Sequence, residues 1–132
     1  MLKYMLDTNI VIYVIKRRPI EILATFNTHA GHLCISAITL SELFHGAEKS
    51  VQTEHNLRQV EDFISRLEVL PYGVKAAAHY GEIRADLERS GTPIGVNDLH
   101  IAGHARSEGL ILVTNNQREF DRVKALRIEN WI

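Results

Sequence analysis

Four acidic residues stand at the edges of apolar stretches, where folding alone has little use for charge. Asp7 follows Tyr4-Met5-Leu6, and Glu42 lies within Thr39-Leu40-Ser41-Glu42-Leu43. Asp98 follows Asn97 at the head of Leu99-His100-Ile101-Ala102, and Glu119 comes three residues after Asn116. Carboxylates are hard oxygen donors. Several of them converging on one place suit Mg²⁺ or Mn²⁺, ions that keep waters and accept phosphate oxygens. An ion held there activates water and offsets the charge that builds on a phosphodiester. The chemistry in view is hydrolysis without a nucleophilic side chain.

The pattern of apolar residues says how such acids would be positioned. Lys3 to Leu6 predicts a short buried strand, and Asp7-Thr8-Asn9 opens a helix that runs to about Arg17. Pro19 is expected in the first turn of a second helix. Leu33 to Ser36 reads as a strand, followed by a helix from Thr39 to about Glu48. Leu57, Val60, Phe63, Ile64 and Leu67 recur at helical spacing, so Glu54 to Arg66 is amphipathic. Glu68 to Tyr72 predicts a third strand and Val74 to Arg89 a helix closed by Ser90-Gly91. Asn97 starts another helix that ends near Gly109, Leu110 to Thr114 is a strongly apolar strand, Asn116 starts a short helix, and Leu126 to Trp131 returns as an edge strand. Short strands alternating with helices predict an α/β domain with a mainly parallel sheet of about five strands, flanked by helices.

Ligands of such sheets bind beyond the carboxyl ends of the strands. Asp7 ends the first strand, and Glu42 is expected in the first turn of the helix after the second. Asp98 begins the helix before the strand at Leu110, and Glu119 begins the helix after it. Each acid also has a purely structural reading. Thr39-Leu40-Ser41-Glu42 and Asn116-Gln117-Arg118-Glu119 both have the form of a capping box. Asp98 suits a helix dipole, and Asp7 suits a turn. Asp98 separates the readings best. At 100° per residue it shares a face with Ile101, Ala102 and Ala105, the stripe that should be buried. A charge on that side is costly unless something pairs with it, and a metal ion would.

Composition bounds the alternatives. The 132 residues fit one domain, expected to span 1–132, and 45% hydrophobic against 23% charged residues is enough to bury a core. Fifteen Lys and Arg oppose sixteen Asp and Glu, so bulk charge does not hold nucleic acid, and binding it would need local patches or a metal. The single cysteine, Cys34, excludes an internal disulfide and a cysteine zinc site, and its place in Leu33-Cys34-Ile35 predicts a buried small hydrophobe. The apolar run Ile10 to Ile15 is far shorter than the roughly 20 residues of a membrane span, and no cleavage site follows, so a cytoplasmic protein is expected.

The four acidic stretches together resemble the motifs of PIN domains. Met5-Leu6-Asp7-Thr8-Asn9 is similar to the opening motif, and Ser36-Ala37-Ile38-Thr39-Leu40-Ser41-Glu42-Leu43 with Gly46 to the second. Asn97-Asp98-Leu99-His100-Ile101-Ala102 is similar to the third, and Val113-Thr114-Asn115-Asn116-Gln117-Arg118-Glu119-Phe120 to the last. They occur in order across essentially the whole chain. With the closing Ile128-Glu129-Asn130-Trp131, they resemble most the VapC toxins of enterobacterial and Haemophilus type. The resemblance implies a PIN-like fold, metal-binding roles for Asp7, Glu42 and Asp98, and Mg²⁺ or Mn²⁺ as cofactor. Many PIN domains carry an Asp where Asn116 stands, so Glu119 is the candidate for the fourth acid. Thr8, Asn9, Thr114 and Asn116 are candidates for orienting water or phosphate. The resemblance further implies an endoribonuclease toxin that cuts structured RNA, tRNA in the anticodon region first and initiator tRNA above others. It also implies inhibited translation, a VapB-type antitoxin and a homodimer.

Other signals compete. His100 and His104 are four apart on a helix but fall opposite Asp98 on the wheel, and they read as a surface pair. His45 is the one histidine near an acidic motif able to rival the metal route as a general base. Lys16-Arg17-Arg18 suits either RNA phosphates or a helix C-terminus. Tyr13, Phe44 and Tyr80 are expected in the core or at an interface. A phosphotransferase using Asp7 as nucleophile is disfavoured by Asn9, where that chemistry wants a second Asp. A non-catalytic RNA-binding or assembly module with a structural metal is the alternative outside enzymology.

Overall fold

Apolar side chains alternate in direction along each strand, and here both directions lead into protein. In the computed structural model, which describes residues 1–132, Tyr4 and Leu6 pack on one side of the sheet with Leu33, Ile35 and Val113. Met5, Cys34 and Leu112 pack on the other. This two-sided burial is what a parallel sheet covered by helices demands, and it accounts for strands that read as unbroken apolar runs.

The elements, in order, are β1 (Tyr4–Leu6), α1 (Thr8–Lys16), α2 (Glu21–Thr28), β2 (Leu33–Ser36), α3 (Ala37–Glu48), α4 (Thr53–Ile64) and β3 (Glu68–Leu70). They continue with α5 (Val74–Arg89), α6 (Val96–Ser107), β4 (Ile111–Val113), α7 (Gln117–Phe120) and β5 (Ile128–Glu129). All five strands run parallel in the order β3-β2-β1-β4-β5. Helices α1 to α4 supply the first core, through Ile10, Val14, Phe26, Leu43, Val60 and Phe63. Helices α5 to α7 supply the second, through Ile83, Leu87, Leu99, Ala102 and Phe120. The expected α/β architecture is the one observed.

The strand order places two chain segments distant in sequence side by side. The chain leaves β1 for β2 and β3 on one side, then crosses back to add β4 and β5 on the other. The carboxyl ends of β1 and β4 therefore adjoin where the winding direction reverses, the place where open parallel sheets leave a crevice. The backbone ladder extends through this point, with Asp7 N–H donating to the Val113 carbonyl at 2.9 Å.

Two glycines are needed for this layout. Gly109 follows α6 with φ +66, and Leu110 N–H returns to the Ala105 carbonyl, so the helix stops cleanly and feeds β4. Gly103 lies where α6 crosses α5, and a Cβ there would sit 2.8 Å from the Tyr80 backbone nitrogen. Several boundaries differ from expectation. α3 starts at Ala37 rather than Thr39 because Ser36 already caps it, its Oγ accepting the Ile38 N–H. Pro19 precedes α2 instead of opening it, and the outer strands shorten to Glu68–Leu70 and Ile128–Glu129. No helix is long and apolar enough to cross a membrane.

Candidate active site

Asp7 is the centre of the rim. It ends β1 and caps α1, so its backbone is fixed on both sides. It is 4% exposed, and each carboxylate oxygen has a donor: Thr8 N–H to Oδ1 and the Thr114 hydroxyl to Oδ2, both at 2.8 Å. Thr114 follows β4, so this second bond crosses the strand junction. Burial raises the Asp7 pKa, the hydrogen bonds from Thr114 and Thr8 oppose the rise, and nearby Glu42 adds to it.

A continuous chain of hydrogen bonds spreads from Asp7 to two of the other acids. The Thr8 hydroxyl donates to Glu42 Oε1 at 2.6 Å, and Asn97 Nδ2 donates to Glu42 Oε2 at 3.2 Å. On the other side, Thr114 Oγ1 accepts the Asn116 N–H at 2.9 Å, and Asn116 Nδ2 reaches Glu119 Oε2 at 3.3 Å. Asn9 is exposed one residue beyond Thr8. The proposed capping roles do not hold. Glu42 is the sixth residue of α3, past its first turn, and its two oxygens are used by Thr8 and Asn97. Asn116 occupies the N-cap position of α7 without a side-chain cap bond.

Asp98 joins the group differently. As the helical wheel indicates, Ile101, Ala102 and Ala105 are buried beneath it. Its carboxyl is half-buried, and its pKa is pushed up to about 6, by burial first and then by Asp7, Glu119 and Glu42. No hydrogen bond or ion pair relieves it. All four acids therefore share one field, and no Lys or Arg enters an ion pair with any of them. The carboxylates do not close into a ready-made cage of three ligands. An open set of oxygen donors with negative charge in excess fits an ion that retains waters, such as Mg²⁺ or Mn²⁺, better than one that needs a dry shell. Asn97, expected only as a helix start, also grips Glu42, a role whose one sequence signal is its adjacency to Asp98.

The histidine pair divides. His100 is half-buried, stacked on Tyr80 at 4.1 Å and bonded to the Tyr72 hydroxyl at 2.8 Å. His104 is 1% exposed, so it is a core residue and not half of a surface pair. Cys34 is fully buried as expected, which pushes its thiol up to about 12. The largest cleft, about 540 Å³, lies between the end of α1 and α4 and is lined by Arg17, Arg58 and Arg66, with no rim acid in its wall. None of the clefts has Asp7, Glu42, Asp98 or Glu119 in its wall.

A family model for the PIN domain matches residues 4–126. The chain belongs to the PIN-domain family. The PIN fold here is 65% identical over 132 residues to "Ribonuclease VapC2" of Haemophilus influenzae, with all of both chains covered. It is 58% identical over 131 residues to "tRNA(fMet)-specific endonuclease VapC" of Salmonella typhimurium, covering 99% of each. The crystal structure of DNA-bound VapBC from Salmonella typhimurium superposes with a TM-score of 0.97 at 57% identity, over 100% of both chains. This PIN domain is thus a ribonuclease of VapC type, the toxin class of toxin–antitoxin pairs. Nucleases of this family generally use divalent metal ions.

Proposed function

We propose that residues 1–132 act as one Mg²⁺-dependent endoribonuclease that cuts tRNA in the anticodon region, initiator tRNA first, and so inhibits translation. The observation that carries this is Asp98: a half-buried carboxylate without a hydrogen-bond partner, facing three other acids and no cation. Asp7, Glu42, Asp98 and Glu119 would hold the ion. When bound, Mg²⁺ lowers the pKa of a water and offsets charge on the phosphodiester.

The chain's own residues prepare that site in three ways. Thr114 and Thr8 fix both Asp7 oxygens while leaving each a free lone pair. Thr8 and Asn97 aim Glu42 from two sides, and Asn116 holds Glu119 against the same rim. Asn9, exposed next to Thr8, is placed to meet phosphate or water. Pre-set donors of this kind avoid reorganisation during reaction. The tRNA substrate rests on the Salmonella relative's name. A VapB-type antitoxin as partner rests on the VapBC structural neighbour. The homodimer rests on family resemblance.

The test is cleavage of total tRNA by the purified chain with and without Mg²⁺, with fragments mapped at nucleotide resolution. Metal-dependent cuts confined to the initiator tRNA anticodon stem-loop are expected. Binding without cleavage at any Mg²⁺ concentration would favour the non-catalytic RNA-binding module instead.

A further inference from the structure

Two side-chain hydrogen bonds tie α6, which carries Asp98, to the β2–α3 segment, which carries Glu42. One is at the rim, from Asn97 to Glu42. The other lies in the interior, where His104 Nδ1 is 2.7 Å from Ser36 Oγ across 68 positions of sequence. We infer that His104, acting through Ser36, is a positioning residue for the metal-binding carboxylates. It sets the angle at which the Asp98 helix meets the Glu42 helix. This rests on the metal-site reading above.

Geometry supplies the first argument. Asn97 and His104 are seven residues apart, about 10 Å along a helix axis. A single link between two rods leaves a pivot; a second link that far away removes it. Ser36 is also the residue at which α3 begins, since its Oγ accepts the Ile38 N–H at 3.1 Å. Gripping Ser36 therefore fixes where α3 starts, and with it the placement of Glu42.

The second argument is that stability does not account for a histidine here. His104 Nε2 and, on α3, Thr39 Oγ1 are buried side-chain atoms without hydrogen-bond partners. The Pro71 backbone approaches the ring without completing a bond. When the Ser36 hydroxyl donates to Nδ1, Nε2 carries the ring proton, which has the Pro71 backbone beside it but no hydrogen bond of ordinary geometry. Burial lowers the ring's pKa, which keeps it neutral in this role. An apolar side chain of similar size would leave no orphaned donor. A buried polar pair present despite that cost is what a role in fixing geometry would leave.

The experiment follows Mg²⁺ titration of the full chain by two readouts: RNA cleavage, and the rise in melting temperature without RNA. It compares wild type with His104→Leu, His104→Asn, Ser36→Ala and the His104→Leu/Ser36→Ala double variant. His104→Leu is expected to melt without metal no lower than wild type, yet to need several-fold more Mg²⁺ in both readouts. His104→Asn, whose carboxamide reaches the Nδ1 position, is expected to restore the wild-type midpoint. The double variant is expected to be no worse than Ser36→Ala, because both changes break one bond. An unchanged midpoint in folded His104→Leu, or strictly additive effects in the double variant, overturns the inference. If His104→Leu does not fold, Ser36→Ala and His104→Asn decide: a raised midpoint in the first with a normal one in the second supports it, and any other pairing overturns it. A wild-type chain that Mg²⁺ does not stabilise overturns the metal-site reading itself and this inference with it.

Discussion

Asp98 has a folded pKa of about 6 against an ordinary 3.8, and Asp7 is also raised. The folded protein thus binds protons more tightly than the unfolded chain between about pH 4 and pH 6. The part of metal-free stability that depends on these two acids therefore falls as pH rises through that interval and stays reduced above it, while His100 and His104, whose pKa burial lowers, contribute in the opposite direction. In EDTA, Asp98→Asn is expected to raise the melting temperature more at pH 7.5 than at pH 5, and Mg²⁺ should stabilise the wild type more at the higher pH. Asp98→Asn is also expected to abolish cleavage; near-normal cleavage by this variant, or by Asp7→Asn, would remove the metal-site assignment. Glu119→Gln keeps an acceptor for Asn116 Nδ2, so its stability should change by at most about 1 kcal/mol. If Glu119 serves the metal, the Mg²⁺ midpoint of cleavage moves upward, and an unmoved midpoint returns Glu119 to a structural role.

At the scale of elements, local pattern and tertiary context divide what was legible. The strands and helices were readable because each presents a period of apolar residues to a core, and two-sided burial made β1, β2 and β4 unmistakable. The start of α3 was misplaced because Ser36 and Thr39 both have hydroxyls, and only the end of β2 at the rim decides between them. The place of Asp7, Glu42 and Asp98 at one rim was legible from motif and wheel, but Asn97 as a partner of Glu42 was not, since it is 55 positions away. His104 was taken for surface because the residues that cover it, Ser36 and Tyr72, come from elsewhere in the chain. Gly103 shows the same limit. A Cβ there meets the Tyr80 backbone at 2.8 and 3.1 Å, so α5 and α6 must part. Gly103→Ala is expected to destabilise by about 1–3 kcal/mol in chemical denaturation, although alanine favours helix. Gly46→Ala on α3, with nothing within 4 Å, is the control and should be neutral or stabilising by up to about 1 kcal/mol.

The whole molecule carries a net charge of −1 and gathers four acids without a cationic partner at the one rim that the proposed reading gives to RNA. Without a cation that surface repels phosphate, so EDTA should abolish cleavage outright. Water attack directed by the metal site leaves a 5′-phosphate and a 3′-hydroxyl, whereas attack by the RNA's own 2′-hydroxyl needs a general base. The candidate base, His45, is exposed on α3, and His45→Ala should keep activity. End-group analysis decides: 2′,3′-cyclic phosphate formed without metal would overturn this chemistry. The pairing of β1 with β4 also has a meaning in time. Thr114, which holds Asp7 from across the sheet, is made 107 residues after it. At about 5–20 residues per second, synthesis takes on the order of 5 to 20 s to cover that gap. Asp98 and Glu119 are also made late in that order. A growing chain still attached to its ribosome therefore holds only part of the acidic rim, and the set of four acids comes together only once the last strands are in place.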